Sequence, residues 1–259
     1  MANLLEIWVT VFTFDTLRYL FGAGLVSLVL FGLCPGFSRA RRIQARKPQV
    51  VDYLREVGYS LLTTGVYATV ALVTIRLERA GVLLVYDDWR DYGWVYGAVS
   101  LPALLVLHDA YFYWVHRAMH HRWLFRRFHL VHHRSRTPTP WAAYAFAPGE
   151  AFLMALFVPA VTWFLPVHEV VMFVFLAIMI LRNAMGHSGV EFHPHWWVDS
   201  PLDCLTSVVH HDLHHQRARG NYGLYFTWWD RWMGTEFADY KARFRQAVRP
   251  SLAEPELTV

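Results

Sequence analysis

Cysteine and charge are both scarce in this sequence of 259 residues. Cysteine occurs only at Cys34 and Cys204, which excludes a disulfide framework and a cysteine-based zinc site. Charged residues make up 17% and hydrophobic residues 55%, whereas soluble domains have about 25% charged residues. The formal net charge is only +4, and the basic residues stand in blocks beside apolar segments, which favours contact with anionic headgroups or topology control over nucleic-acid binding. The composition predicts an integral membrane protein with a substantial polar part.

Several recognisable motifs are also missing. The segment Met1–Glu6 contains no basic residue, so we expect no cleaved secretory signal. The sequence contains neither G-x-S-x-G nor H-E-x-x-H, two signatures that would indicate a hydrolytic site. Fingerprints for haem, for cysteine-ligated iron–sulfur clusters and for dinucleotides are absent as well. Any redox chemistry would therefore need an external electron donor.

Long apolar stretches, by contrast, are abundant. A helix needs about 20 apolar residues to cross a bilayer core about 30 Å thick. Within the first stretch, Asp15 and Arg18 are neighbours on a helix, where they either pair or mark the point at which the chain enters the membrane. Three stretches are predicted to cross as helices: Leu4–Leu33, Val57–Ile75 and residues 92–109.

A fourth apolar stretch, Ala151–Leu181, is interrupted by Pro159, Pro166, His168 and Glu169. At a rise of about 1.5 Å per residue, each half is short for a complete crossing. We therefore predict a helical hairpin that dips into the membrane and returns on the same side.

Basic residues set the predicted orientation. They cluster in Arg39–Lys47, after the first span, and in residues 117–136, after the third span. Three crossings put both segments on one side, which the positive-inside rule makes cytoplasmic. A returning hairpin leaves the C-terminal third of the chain on that side too.

Histidine is concentrated in four short segments. In the first, two histidines four residues apart share one helix face. Two later segments both read His-x-x-His-His, and helical spacing predicts that their three imidazoles turn to a single side. An isolated histidine lies between these two segments. The histidines concerned are His116, His120, His129, His132, His133, His187, His211, His214 and His215.

These clusters predict a metal site. Unliganded imidazoles packed together would be partly protonated near neutral pH and would repel one another, whereas a bound cation stabilises the neutral form. Nine ligands are too many for one ion, so two ions with four or five ligands each fit the count. Imidazole-dominated coordination suits iron, zinc, copper or nickel. A hydrolytic dizinc site stays open, but a redox pair beside an apolar hairpin favours oxidation of a lipid-like substrate. The lone residues His168, His193 and His195 are interpreted as interfacial polar residues.

The same segments resemble the fatty acid hydroxylase/sterol desaturase superfamily of membrane non-haem di-iron enzymes. The motifs that carry the resemblance are YWVHRAMHH, FHLVHHRSRTPTPWAAYAF, GHSGVE, HHDLHH, and NYG followed by WWDRWMGT. The Thr-Pro-Thr-Pro segment, NYG and WDRWMGT are most similar to the sterol C5-desaturase-like branch. The resemblance covers about Leu101 to Phe237, and the residues before it match only in being hydrophobic.

This resemblance implies that the nine histidines hold two iron ions, which use O2 to oxidise an unactivated C–H bond of a lipid or sterol-like substrate from the bilayer. Hydroxylation is the expected outcome, and desaturation is the alternative. Electrons would come from a cytochrome or ferredoxin-type donor. A competing interpretation from another class is a histidine-rich membrane metal transporter or sensor, whose ligands we would expect near the middle of the membrane.

The predicted fold is an all-α integral membrane protein. Transmembrane helices and a helical hairpin are capped by a cytoplasmic, histidine-rich di-metal domain. We divide the chain into N-terminal transmembrane helices (1–107), a histidine-box region that includes the hairpin at 151–181 (108–249), and a flexible tail (250–259).

Four further polar residues are candidates to support the metal ligands. Asp109 either accepts an imidazole N–H, which would fix that ligand's tautomer, or is a helix-surface carboxylate near Arg117 or Arg122. Asn183 is a further ligand, a support for a ligand, or a cap at the end of the hairpin. Glu191 and Asp212 either support ligands or are exposed to solvent.

Overall fold

The computed structural model describes residues 3–249 and is 68% helical. The predicted flexible tail, 250–259, lies outside the described residues. In chain order the elements are α1 (Leu4–Ser27), a π-helical turn (Leu28–Leu33), α2 (Pro35–Ala40), α3 (Val50–Arg79), β1 (Val85–Tyr86), α4 (Gly93–Met119), α5 (Phe125–Phe128), α6 (Leu130–His133), a 3-10 turn (Pro140–Tyr144), α7 (Pro148–Ala155), α8 (Phe157–Thr162), β2 (Val167–His168), α9 (Glu169–Gly186), two 3-10 turns (Trp197–Asp199 and Pro201–Cys204), α10 (Val208–Arg217), α11 (Trp228–Trp232) and α12 (Tyr240–Val248).

Within residues 3–249, four helices are long and apolar enough to cross a membrane: α1 with its π-helical extension, α3, α4 and α9. This confirms the predicted all-α membrane fold. The helices are longer than the apolar stretches that predicted them, because polar residues continue them at their ends. In particular, α4 runs on past Asp109 to Met119, so that the third spanning helix itself carries His116 to the end of the bundle.

The chain turns back within Ala151–Leu181 as predicted, but the two arms are unequal and the tip, β2, reaches β1 at the end of the bundle opposite the histidines. The first arm is broken into the short helices α7 and α8, whereas α9 runs for 18 residues without interruption and is long enough to cross a membrane. The expectation that each half is short is therefore wrong for the second half. The Nδ1 atom of His168 accepts a hydrogen bond from the Val170 N–H at 3.1 Å, so His168 caps the N-terminus of α9. Because Pro166 and His168 both precede the helix, they do not interrupt it.

The helix α1 packs against α3 and α9, and α9 in turn packs against α4. Close contact between α1 and α9 depends on Gly22, where an added Cβ would lie 3.0 Å from the Ile180 Cγ1 atom. On the outer faces, large apolar side chains such as Leu5, Phe21 and Val95 are exposed. Such a surface is costly in water and suits lipid contact.

The connections between the helices gather at the two ends of the bundle. At one end, β1 pairs in parallel with β2. At the other end, the backbones of Arg42 and Val190 form an isolated antiparallel β-bridge. The Gln44 Nε2 atom there donates a hydrogen bond to Asp212 Oδ2 at 2.9 Å. The basic segment Arg39–Lys47 therefore lies beside the histidine-rich segments, on one side as the count of crossings predicts. That this side is cytoplasmic stays a prediction.

Candidate metal centre

Two groups of histidines form at this end of the bundle. Within each group, one potential ligand atom per residue lies within 4.8 Å of all the others. The first histidine group contains five residues: His116, His120, His129, His133 and His214. The second histidine group contains four: His132, His187, His211 and His215. All nine candidate residues are thus brought together, in numbers that match the four or five ligands per ion expected from the sequence.

Each His-x-x-His-His segment contributes to both groups, so the prediction that its three imidazoles turn to a single side is wrong. Successive residues of a helix differ in direction by about 100°, and the two adjacent histidines of each segment therefore diverge. In each segment, the two histidines that are four residues apart belong to one group and the third belongs to the other. His129 and His133 are in the first group and His132 is in the second, whereas His211 and His215 are in the second group and His214 is in the first.

Within each group the imidazole Nε2 atoms face one another. Two nitrogens that bind one ion at about 2.1 Å and at right angles lie about 3.0 Å apart, which is the spacing seen here. Facing Nε2 lone pairs repel unless a cation lies among them, so the donor set fits a metal ion. The Nε2–Nε2 distances are 2.9 Å for His116–His129, 3.0 Å for His133–His214, 3.2 Å for His120–His133, 3.0 Å for His187–His211, 3.2 Å for His132–His187 and 3.2 Å for His211–His215.

In several of these histidines the opposite ring nitrogen, Nδ1, is held by the protein, whereas Nδ1 of His132 and of His215 has no hydrogen-bond partner among the described residues. A backbone carbonyl can only accept, so each such contact fixes the proton on Nδ1 and leaves Nε2 free to bind a metal. Three of these bonds are from His116 to Tyr222 O at 2.8 Å, from His214 to Gly220 O at 2.8 Å and from His187 to Asn183 O at 2.7 Å.

The loop that supplies two of these carbonyls is held by Asp230. Its carboxylate accepts the backbone N–H groups of Tyr222 and Gly223, both at 2.8 Å. At Gly220 an added Cβ would lie 2.4 Å from the Thr235 carbonyl oxygen, so the loop requires glycine there. The NYG and WWDRWMGT motifs therefore act together: the second holds the first, whose Tyr222 carbonyl orients His116, while Gly220, directly before NYG, orients His214.

Glu150 also supports a ligand, although it is not among the candidates predicted from the sequence. The His129 Nδ1–H donates to Glu150 Oε1 at 2.7 Å, and the carboxyl group is fully buried. A buried carboxylate in this position orients the ring and raises its basicity toward a metal. A signal was present in the sequence, because Glu150 is the only acidic residue between Asp109 and Glu169.

Asp109 has neither of the two roles considered for it. It is fully buried, and its carboxylate accepts hydrogen bonds from Tyr225 N at 2.7 Å, Phe226 N at 3.3 Å and Trp228 Nε1 at 3.2 Å. Among the described residues it has no hydrogen bond to an imidazole. It holds the segment that follows the Gly220–Gly223 loop, and so acts on the site through the backbone.

Asn183 supports a ligand with its backbone rather than its side chain. Its carbonyl oxygen accepts the His187 Nδ1–H, while its side-chain Nδ2 donates to Ala143 O at 2.6 Å. The side chain therefore lies outside both histidine groups and ties α9 to the 3-10 turn Pro140–Tyr144.

Glu191 and Asp212 are fully buried, so the interpretation of either as a solvent-exposed carboxylate is wrong. Glu191 Oε2 accepts the Val209 N–H at 2.8 Å, which caps the first turn of α10, and its Oε1 accepts the His193 Nδ1–H at 2.6 Å. Asp212 accepts from Gln44 Nε2 at 2.9 Å. Both carboxylates fix α10, the helix that carries the last three histidines.

The three lone histidines differ in their exposure to solvent. His195 is exposed, as an interfacial residue would be. His168 and His193 are buried within the protein: His168 stacks on Trp89 with ring centroids 3.7 Å apart, and His193 bonds to Glu191. That they lie at the membrane interface stays a prediction. Neither belongs to a histidine group.

Burial keeps the histidines of the two groups neutral. It lowers the pKa of His133 to about 3 and that of His187 to about 4, and it holds the pKa of His132, His211 and His214 well below the usual range. Neighbouring imidazoles act in the same direction, because two charges in one group would repel. Neutral imidazole is the form that binds metal, so the site needs no further deprotonation to accept an ion.

We expect the metal-free protein to lose stability as the pH falls from 7 to 5. Histidine in an unfolded chain has a pKa of about 6.5, above the lowered pKa of His133 and His187 in the fold. Below pH ~6.5 the unfolded chain therefore binds more protons and is favoured, by up to about 1.4 kcal/mol per pH unit for each such histidine. The melting temperature of metal-free protein in detergent at several pH values tests this. His195→Ala should keep the same slope, and a melting temperature independent of pH would contradict the expectation.

A cavity of about 560 Å³ lies among α1, α3, α4, α9 and the first arm of the hairpin. Its walls are mostly apolar, and its depth in the bundle suits a lipid. Phe112 and Phe146 line it near the metal centre. The Phe112 ring centroid is 5.0 Å from that of His116, in the first group, and the Phe146 centroid is 5.2 Å from that of His132, in the second group. The cavity therefore ends against both histidine groups.

Comparison with known proteins gives one consistent family. A family model described as fatty acid hydroxylase matches residues 101–235. A Delta(7)-sterol 5(6)-desaturase of Gibberella zeae is 29% identical over 223 residues, which are 84% of this chain and 67% of that protein. A lathosterol oxidase of Mus musculus is 33% identical over 182 residues, 68% of this chain and 58% of that protein. A Delta(7)-sterol 5(6)-desaturase of Aspergillus fumigatus is 30% identical over 238 residues, 83% of this chain and 73% of that protein.

No solved structure matches the chain. The alignment with the mouse protein covers 58% of that protein, less than two thirds of its length.

Proposed function

The chain belongs to the fatty acid hydroxylase family, and from this premise we propose that it is a membrane-bound, O2-dependent oxidoreductase acting on an unactivated C–H bond of a lipid or sterol-like substrate. One observation carries the proposal: the two histidine groups lie at the end of an apolar cavity, on the far side of Phe112 and Phe146. Metal donors and space for a lipid therefore meet at one place.

We propose that each histidine group holds one iron ion. The five and four Nε2 atoms present the spacing of ligands that share an ion, and the family is one whose members use iron. When bound, iron supplies the O2 and one-electron chemistry that amino-acid side chains do not provide. The protein's part is to orient ligand rings before any substrate arrives: Glu150 holds Nδ1 of His129, and backbone carbonyls hold Nδ1 of His116, His187 and His214.

The cavity walls position the substrate and exclude water. Phe112 and Phe146 stand between the apolar volume and the imidazoles, so a carbon held against them lies next to the metal centre. A dry site protects a reactive oxidant from water and strengthens the electrostatic interactions within it. His108, which lines the cavity from α4, is held behind the wall by the Tyr225 hydroxyl, 2.9 Å from its Nδ1 atom.

We propose desaturation as the outcome, in preference to the hydroxylation expected from the sequence alone. The curated relatives named above are sterol desaturases and a lathosterol oxidase. In a desaturation, two hydrogens leave adjacent carbons and a C=C bond forms. O2 takes two electrons from the substrate and two from an external donor, and with two further protons it becomes two waters.

Exposed arginines beside the first histidine group fit a partner that delivers electrons. Arg122, Arg126 and Arg127 lie on the connection between His120 and His129 and are exposed. We propose that this surface faces the cytoplasm and docks an acidic cytochrome or ferredoxin-type protein.

We also propose the functional division at residue 107, with the histidine-box region following the transmembrane part.

The proposed function predicts turnover of a sterol in a reconstituted system. We expect protein in lipid nanodiscs, loaded with Fe²⁺ and supplied with a chemical reductant, to convert lathosterol under air into a product that lacks two hydrogens. No product should form under nitrogen. Mass spectrometry separates this product from one that gains an oxygen, which would favour hydroxylation.

Elemental analysis of the protein as isolated tests the metal. Iron is expected, whereas zinc together with indifference to O2 would contradict the oxidoreductase proposal and favour hydrolysis.

Lipid profiles of cells that express the active protein, compared with cells that express a His214→Ala variant, extend the search to substrates other than lathosterol.

A further inference from the structure

An ion pair lies in the cavity wall within the first spanning helix. Arg18 Nη2 is 2.9 Å from Asp15 Oδ1, and the two side chains are only 10% and 11% exposed. Both residues line the cavity, and neither contributes to a histidine group. Charged residues inside a span are costly and mark functional sites more often than structural ones.

The pair leaves hydrogen-bonding capacity unused. Arg18 Nη2 also contacts the Tyr144 hydroxyl at 3.3 Å, but Arg18 Nε and Nη1 are buried and have no hydrogen-bond partner within residues 3–249. The pairing with Arg18 is the one polar contact that the described chain gives Asp15. Unmade hydrogen bonds of a buried charge are unfavourable, so a ligand that supplies them gains affinity.

Charge and geometry select the class of that ligand. The pair carries no net charge, and a carboxylate or phosphate brought into the cavity would add an uncompensated negative charge. A hydroxyl group is neutral, accepts a hydrogen bond from Arg18 and donates one to Asp15. We propose that Asp15 and Arg18 bind the hydroxyl group of an alcohol-bearing lipid, with the guanidinium turning toward the cavity. The inference rests on the proposed function only in taking this cavity as the place of the substrate.

The position of the Asp15–Arg18 pair along the cavity predicts which part of the lipid lies near the metal centre. Tyr144, which Arg18 contacts, has its ring 6.3 Å from that of Phe146, and Phe146 packs against His132 of the second histidine group. The hydroxyl therefore binds toward the metal end of the cavity, and the lipid tail extends away from it. Oxidation is expected on the part of the molecule that carries the hydroxyl, as in the ring system of a sterol.

Binding of matched probes tests the proposal without turnover. Dehydroergosterol, a fluorescent sterol, reports on the cavity by energy transfer from tryptophan in metal-free protein. Three competitors are compared: cholestanol, its 3-O-methyl ether, which accepts but cannot donate, and cholestane, which has no oxygen. Wild-type protein should bind cholestanol at least about tenfold more tightly than cholestane, since hydrogen bonds to charged groups contribute that much, with the ether between them.

The variant Asp15→Leu/Arg18→Met removes both charges together and so leaves no unpaired ion. It should bind cholestanol and cholestane with nearly equal affinity. The matched control is Thr16→Val, on the same helix, whose hydroxyl bonds to Thr64 at 3.1 Å away from the cavity; it should keep the wild-type ratio. Melting temperatures of both variants check that they fold.

The outcomes separate this proposal from the proposed function. A preference for cholestanol that survives in the double variant overturns the proposal that Asp15 and Arg18 bind the hydroxyl group. If no sterol binds, 1-hexadecanol and hexadecane replace the sterol pair, and the absence of a hydroxyl preference there also overturns it. A hydroxyl preference that the double variant loses, in a protein that oxidises neither sterol nor alcohol, supports the binding site and counts against the oxidoreductase proposal.

Discussion

His214→Ala and His132→Ala should each lower the metal content of the protein and abolish its turnover. Each removes one Nε2 donor, from the first and the second histidine group respectively, and leaves the facing imidazoles with an incomplete coordination sphere. Because loss of a residue that merely supports a ligand already costs about 10- to 100-fold in affinity or activity, loss of a ligand should cost more than about 100-fold. His132→Ala should be the more severe, since it leaves three donors in its group rather than four.

Elemental analysis and product formation on the same preparations measure both effects. His195→Ala is the matched control, because His195 is exposed and outside both groups; it should keep metal and activity. Equal melting temperatures of the metal-free proteins would exclude misfolding as the cause. Full metal occupancy in the His214 variant would count against the ligand assignment.

The second large effect is expected at Glu150. Glu150→Ala removes the carboxylate that accepts the His129 Nδ1–H and leaves a buried donor without a partner. The first histidine group should lose metal affinity by about 10- to 100-fold, while the second group, which has no contact with this carboxylate, keeps its ion. At limiting iron the metal content should fall from two ions toward one.

A double variant tells the groups apart. Glu150→Ala combined with His132→Ala should retain almost no metal, because each change affects a different group. Glu150→Gln keeps an acceptor oxygen without the charge and should fall between wild type and Glu150→Ala. Asp199→Ala, at an exposed carboxylate paired with Arg245, is the control. A Glu150→Ala protein that binds two ions with unchanged affinity would show that the carboxylate does not support the centre.

The sequence predicted the membrane fold and the nine clustered histidines, because both depend on local patterns. Apolar length identifies α1, α3 and α4, and the repeated His-x-x-His-His spacing has few explanations other than a shared metal. The hairpin was predicted less well. Pro166 and His168 predict an interrupted membrane segment with two short halves, whereas His168 caps α9 and the helix then continues to Gly186.

What the sequence could not provide is the set of contacts that hold the ligands. His129 and Glu150 are 21 residues apart, and Asp109 and Tyr225 are 116 apart; no periodicity relates such positions. For the same reason the sequence leaves open whether Glu191 and Asp212 support ligands or are exposed to solvent, whereas both are buried in the fold. The division of each histidine segment between two groups was missed for the same reason, since it depends on which partners approach from other helices.

The order of the donors along the chain has a consequence for biosynthesis. Each histidine group combines rings that precede the hairpin with rings from α10, so neither can close while the ribosome is still producing the hairpin. Completion of either ligand set must follow the membrane insertion of α9, because a nascent polypeptide stalled before Val208 would hold four of the five imidazoles of the first histidine group and two of the four of the second. Iron shortage in the cell should then leave a fully inserted apoprotein, still open to late rescue by the metal, in place of an aborted translation product.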